Sequence, residues 1–130
     1  MSLTVTAIYT ALFSILIIPL SMQITMRRIA LGNLAFGDAN DENLIRKRET
    51  LRNFSEYVPL GLLLLAIYEY NIGGTLSVMI FGGLFLFSRV LHIFGLQYKA
   101  SPKYFGPAMM IQHGYFLVVS IILIYNSLVS

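Results

Sequence analysis

The sequence predicts an all-α integral membrane protein, a four-helix bundle built from one chain of 130 residues. Three observations carry this expectation. Hydrophobic residues make up 57% of the chain and charged residues only 12%, against about 45–50% and about 25% in a soluble domain. So little charge cannot clothe a water-soluble sphere, and a mean hydropathy of +0.75 is the opposite of a disordered composition. The apolar residues also fall in four long blocks, to be set against the ~20 residues that a hydrocarbon core of about 30 Å requires. Finally, the blocks are continuous rather than alternating, which suits helices and not barrel strands.

The first span covers about residues 3–26 and carries no charge until Arg27 and Arg28 end it. No Lys or Arg precedes it, so it reads as a retained helix and not as a signal peptide. Leu31 to Asn43 is rich in Gly, Asn and Asp and forms the one real loop. Asp41 stands where it can cap the next helix. The second span, about 42–70, is apolar only from Phe54 to Tyr68 and needs its polar first turns to reach full length. Glu69 to Gly74 is a tight turn, and the third span, about 75–97, contains Arg89 and His92. Tyr98 to Phe105 is a second short turn holding a proline, and the fourth span is about 106–128. With no internal repeat, residues 1–130 read as a single domain.

Eight of the nine Lys and Arg residues flank the first and third connections, and Arg89 lies near the same end. The positive-inside rule therefore places loops 27–43 and 98–105 in the cytoplasm and both termini outside. Short loops suggest a bacterial inner membrane. The net charge of +3 lies between apolar blocks and not on a free tail, which argues against nucleic acid. With no cysteine and only His92 and His113, disulfides, thiolate ligation and a histidine-built metal site drop out, and no metal is expected.

Ionisable groups inside the bilayer cost about 2.5–3.5 kcal/mol each and normally have a partner or a task. On the second helix Asn53, Glu56 and Tyr57 fall at i, i+3 and i+4, so they are expected on one face, with Arg52 four residues before Glu56. On the third, Arg89 and His92 share a face at matching depth. A Glu56–Arg89 pair, or a ligand shared by both, makes these groups affordable. A register-fixing salt bridge is the structural alternative. Gln112 and His113 are expected to hydrogen-bond between helices, and Gly82-Gly83 to permit close helix approach. Arg46, Lys47 and Lys99 read as topology determinants and anionic-lipid contacts. Four helices of this size enclose little, so polar groups are expected at a subunit interface of a homo-oligomer.

The string R-N-F-S-E-Y-V-P-L, with Asn53, Glu56, Tyr57 and Pro59 in N-x-x-E-Y-x-P spacing, supported by F-S-R-V-L-H at Phe87 to His92, resembles the MAPEG family, the membrane-associated proteins in eicosanoid and glutathione metabolism. The resemblance covers nearly the whole chain. It implies a homotrimer with glutathione held between subunits near the cytoplasmic side. It also implies that Asn53, Glu56 and Tyr57 contact glutathione, with Arg27 or Arg28 from helix one and Arg89 and His92 from helix three. Glu49 stands where many members have an arginine, with Arg48 and Arg52 beside it to compensate. Leu51 replaces a Gln or His, Lys103 a thiol-activating arginine, and Leu96 a tyrosine, with Tyr98 close by. Arg89 and Lys103 are thus the implied thiolate stabilisers.

Glutathione carries two carboxylates and one ammonium. Planar guanidinium forks clamp carboxylates, and an acid such as Glu56 meets the ammonium. A nearby cation also favours the nucleophilic thiolate. The leading expectation is a glutathione-dependent transferase or peroxidase acting on hydrophobic electrophiles that arrive from the membrane lipids. One alternative is a non-enzymatic protein of the same fold binding a lipid or another anionic thiol. A second is a small proton-coupled multidrug transporter with Glu56 as proton carrier.

Overall fold

The structure, a computed structural model, describes residues 2–99 and 101–129. Four long helices follow one another: α1 (Thr4–Ala30), α2 (Glu42–Asn71), α3 (Thr75–Ile93) and α4 (Pro102–Val129), with a π-helical segment, Phe94–Lys99, extending α3. Among the described residues there is no strand. The helices run up and down, and α2 and α3 form the centre. α1 packs on both of these from one side and α4 from the other, while α1 and α4 do not touch. The protein is a membrane protein: α1, α3 with its π extension, and α4 are long and apolar enough to cross a bilayer. α2 is 30 residues long, about 45 Å at 1.5 Å per residue. Its charged first turns exceed the hydrocarbon thickness, and only the stretch from Phe54 onward is apolar.

Local chemistry sets the helix ends. The Asp41 carboxylate accepts the Leu44 amide at 2.9 Å and so caps α2 as expected. It also takes a two-pronged bond from Arg27 at the end of α1, 2.9 Å on each arm. That guanidinium holds the Asp41 carboxyl at about 2, well below its usual 3.8. The start of α1 has no side-chain cap of its own. Glu69, near the end of α2, supplies it across space by accepting the amides of Val5 and Thr6 at 3.0 and 2.8 Å. A carboxylate there also meets the positive end of the helix dipole. Gly73 and Gly74, both with φ near +80°, turn the chain between α2 and α3 within three residues.

At the α3–α4 corner the short turn expected at 98–105 is largely helical. The α3 axis runs on to Lys99, and α4 begins at Pro102, four residues before the expected boundary. Pro at the first helical position loses no needed N–H, and Ser101 Oγ accepts the Lys103 amide at 3.3 Å. A Cβ at Gly95 would lie 2.7 Å from the Phe105 nitrogen, so only glycine lets the π segment and α4 approach this closely.

The core centres on Phe85 of α3, which is fully buried. It stacks on Tyr115 of α4 with centroids 4.9 Å apart and meets Phe13 of α1 at 5.3 Å. The Tyr115 hydroxyl donates to the Gly61 carbonyl of α2 at 2.8 Å. Gly82 admits the Tyr9 ring of α1, whose hydroxyl donates to the Met79 carbonyl. The glycine pair therefore serves close packing, as the sequence suggested. Outward positions such as Ile15, Leu63, Leu76 and Leu117 are exposed apolar side chains, as a lipid-facing surface requires.

Candidate functional site

The residues singled out in the sequence separate into two groups on opposite sides of α2. The first group lines a cleft of about 440 Å³ between α1 and α2 at the basic end of the bundle. Arg28, Ser21 and Thr25 come from α1, and Arg48, Glu49, Arg52 and Ser55 from α2. Arg28 donates to the Gly37 carbonyl at 3.1 Å, and its Nε is buried with no partner. Arg48 meets Asp38 of the loop at 3.4 Å. Arg52 bonds to Glu49 and lies 3.8 Å from Glu56. Three guanidiniums and one carboxylate thus line the cleft, with Asp38 and Glu56 at its margin.

A second, apolar groove of about 790 Å³ lies further along the same two helices. Ala7, Thr10 and Ser14 on α1 share a face with Ser21, Thr25 and Arg28, each step being three, four or seven residues. On α2 the matching stripe is Arg48, Arg52, Ser55, Pro59, Leu62 and Ala66, in steps of three and four. One face of the α1–α2 pair is therefore charged at one end and greasy along the rest. The Ser and Thr positions and the register that puts cleft and groove on one face were not identified from sequence. The period of three and four in these stripes was the available signal.

The second group is internal. Arg89 is fully buried, and its Nη2 donates to Asn53 Oδ1 of α2 at 2.7 Å and its Nη1 to Gln112 Oε1 of α4 at 2.5 Å. Its guanidinium also sits 5.8 Å from the Tyr57 ring centroid. The expected Glu56–Arg89 pair is not formed. Glu56 points outward with its side chain half exposed, whereas Arg89 takes two neutral amide acceptors. The expected common face of Asn53, Glu56 and Tyr57 splits for the same reason: Asn53 and Tyr57 turn toward Arg89, and Glu56 turns away.

His92 is buried one turn beyond Arg89, against Phe105 at 5.9 Å. Gln112 makes the helix–helix bond expected of it. His113 instead bonds within its own helix to the Met109 carbonyl and meets Tyr57 edge-on. Gln23 and Gln97 exchange two amide bonds of 2.7 and 2.8 Å between α1 and the π segment, a contact that no sequence spacing announced. Arg27 is committed to Asp41. Tyr98 and Lys103 are exposed at the α3–α4 corner and do not line the cleft. Among the described residues no cluster of acids and histidines could hold a metal ion.

A membrane-spanning helical bundle with an arginine-lined cleft and an apolar groove on one helix-pair face defines the class. The particular family follows from comparison: the model of the MAPEG family matches residues 6–125, and the chain belongs to that family. It is also similar to "Inner membrane protein YecN" of two strains of Escherichia coli. Each is 27% identical over 95 residues, covering 73% of this chain and 72% of the relative.

Proposed function

We propose that the protein is a glutathione-dependent transferase or peroxidase of a bacterial inner membrane, acting on hydrophobic electrophiles, with its basic end in the cytoplasm. The observation that carries this reading is a polar cleft and an apolar groove lying in line on one α1–α2 face. Three guanidiniums and a carboxylate complement a tripeptide with two carboxylates and one ammonium. Arg28, with an unpartnered buried Nε, and Arg48 take the carboxylates. Glu49 or Glu56 takes the ammonium. Membership of a family that includes glutathione transferases supports the same reading.

Arg52, the cleft cation nearest the greasy stripe, stabilises the thiolate by direct charge. The thiolate sulfur attacks the electrophilic carbon of a substrate held in the groove. A C–S bond forms, the leaving group departs with the bonding pair, and the thiol proton passes to solvent. Arg89 acts by holding Asn53 and the α2–α3–α4 packing and does not touch the sulfur. Lys103 has no part in this arrangement. The open side of the cleft suits coverage by a second copy of the chain, consistent with the homotrimer that the family resemblance implies.

The test is conjugation of 1-chloro-2,4-dinitrobenzene by purified protein, with glutathione binding followed by calorimetry. Wild type is expected to bind and turn over, and Arg52→Ala to lose most turnover. Absence of both binding and turnover in wild type overturns the proposal.

A second reading is favoured by the length of the groove: a single-chain amphiphile with its anionic head among the arginines and its tail between the helices. Saturable fatty-acid binding without glutathione binding supports it. Proton-coupled transport is disfavoured because Glu56 lies at the basic end beside Arg52 and not in mid-span.

A further inference from the structure

The half of the bundle away from the basic end carries almost no charge. Residues 1–26 and 104–130 have no Asp, Glu, Lys or Arg, and between Glu56 and Arg89 Glu69 alone is charged. It is buried, and a buried carboxylate without a cationic side chain beside it needs another partner. That partner is the backbone at the start of α1, where Val5 and Thr6 donate at 3.0 and 2.8 Å, one to each oxygen. Since α1 has no side-chain cap of its own, this clip is what ties its first amides.

Nothing else at this end titrates in the acid range. On α1 the one titratable side chain there is Tyr9, whose hydroxyl donates to the Met79 carbonyl at 2.8 Å. On α2 there are Tyr68, bonded to Ser77 at 3.2 Å, and the exposed Tyr70. The α3 helix has no titratable side chain before Arg89, and α4 brings only Tyr125 to this end. All of these are tyrosines, neutral throughout the acid range.

The first turn of α1 is also a wall. Leu3, Thr6 and Ala7 line the apolar groove with Leu62, Leu63 and Ala66, and Leu3 lines a smaller pocket with Tyr70 and Asn71. Tyr9, the next turn along, is pinned to α3 through Met79. Residues 3–8 are therefore the part of α1 whose position depends on the clip.

We propose that Glu69 is an acid-released latch: ionised, it holds the first turn of α1 against α2 and keeps that end of the groove narrow; protonated, it lets residues 3–8 swing out. Protonation converts one accepting oxygen into a hydroxyl donor, so one of the two amides loses its acceptor. It also removes the negative charge from the positive end of the helix dipole. The sign follows: the latch is closed above the titration of the carboxyl and opens as pH falls through it. The device is independent of the glutathione reading, because it consists of bonds within one chain at the end opposite the arginine cleft.

The experiment is hydrogen exchange of the Val5 and Thr6 amides in the full chain in micelles, read by NMR as protection factors from pH 7 to pH 3. Wild type is expected to lose about tenfold protection or more at these amides, the worth of one hydrogen bond to a charged group. The amide of Leu65, fully buried in the core, is expected to keep its protection. Glu69→Gln, neutral at every pH, is expected to show the acid-like protection already at pH 7 and no further step. A second readout uses spin labels on Thr4→Cys and Asn71→Cys, both exposed positions in a chain without native cysteine. Their dipolar broadening is expected to weaken on acidification with Glu69 present. A flat wild-type profile overturns the latch, and so does an acid step that persists in Glu69→Gln. Equal loss of protection at Leu65 also overturns it, since that is global acid unfolding.

Discussion

Adding one methyl group at Gly61 tests how tightly α2 and α3 are joined. A Cβ built there lies 2.1 Å from the Phe85 Cζ and 2.2 Å from its Cε2. The ring would have to withdraw by roughly 1.5 Å to reach ordinary carbon–carbon contact of about 3.5–4.0 Å. It has no room, because Phe13 and Tyr115 hold it at 5.3 and 4.9 Å and Phe116 at 5.9 Å. Overpacking of this kind costs about 1–3 kcal/mol, partly offset by about 0.5–1 kcal/mol because alanine suits a helix better than glycine.

Gly114, in α4 with open space around its Cα, isolates that second effect. Gly114→Ala is expected to be neutral or stabilising, and Gly61→Ala to fall below it by the full overpacking cost of about 1–3 kcal/mol. Reversible unfolding in mixed micelles, followed by circular dichroism, reads both. Phe85→Leu removes the obstructing ring, so the double variant should recover part of the loss, with a coupling of about 0.5–3 kcal/mol. Equal stability of Gly61→Ala and Gly114→Ala, or strict additivity with Phe85→Leu, would refute this account of the interface.

Three further outcomes follow from the polar contacts. Glu69→Gln keeps the shape but removes the charge and one acceptor from the start of α1, and should cost about 1–2 kcal/mol in the same unfolding assay; no loss would mean the cross-helix cap contributes nothing. Asn53→Ala leaves the buried Arg89 with one acceptor fewer and should cost about 1.5–3 kcal/mol; wild-type stability in that variant would remove Arg89's structural role. Asp41 is held at about 2 by its bond to Arg27, so its contribution is fully present above its usual value of 3.8 and disappears as pH falls through about 2. Wild type should therefore lose thermal stability between pH 5 and pH 2 more steeply than Asp41→Asn, and parallel profiles would contradict the assignment.

The helices were legible because their signals are dense. Apolar blocks, Arg27-Arg28 and the glycine-rich loop mark α1 and its end, and Asp41 marks the start of α2. The α3–α4 corner was less legible, because a π segment depends on Gly95 letting another backbone approach, and nothing local announces that neighbour. The site was half legible. Arginines on α2 were visible as charge, but whether each turns toward α1 or toward α3 depends on which face of α2 each neighbour covers. Asn53 and Glu56 are three residues apart, and the helix separates them by enough to send one to Arg89 and the other to solvent. Glu69 looked like a turn residue because the amides it serves lie more than sixty residues away.

In the proposed function the arginine cleft between α1 and α2 receives the charged tripeptide. Cryo-electron microscopy of the protein in nanodiscs with saturating glutathione tests it most directly. Density is expected in that cleft with its carboxylates on Arg28 and Arg48 and its sulfur toward Arg52 and the apolar groove. Glutathione density against Arg89 and His92 with the α1–α2 cleft empty would contradict it.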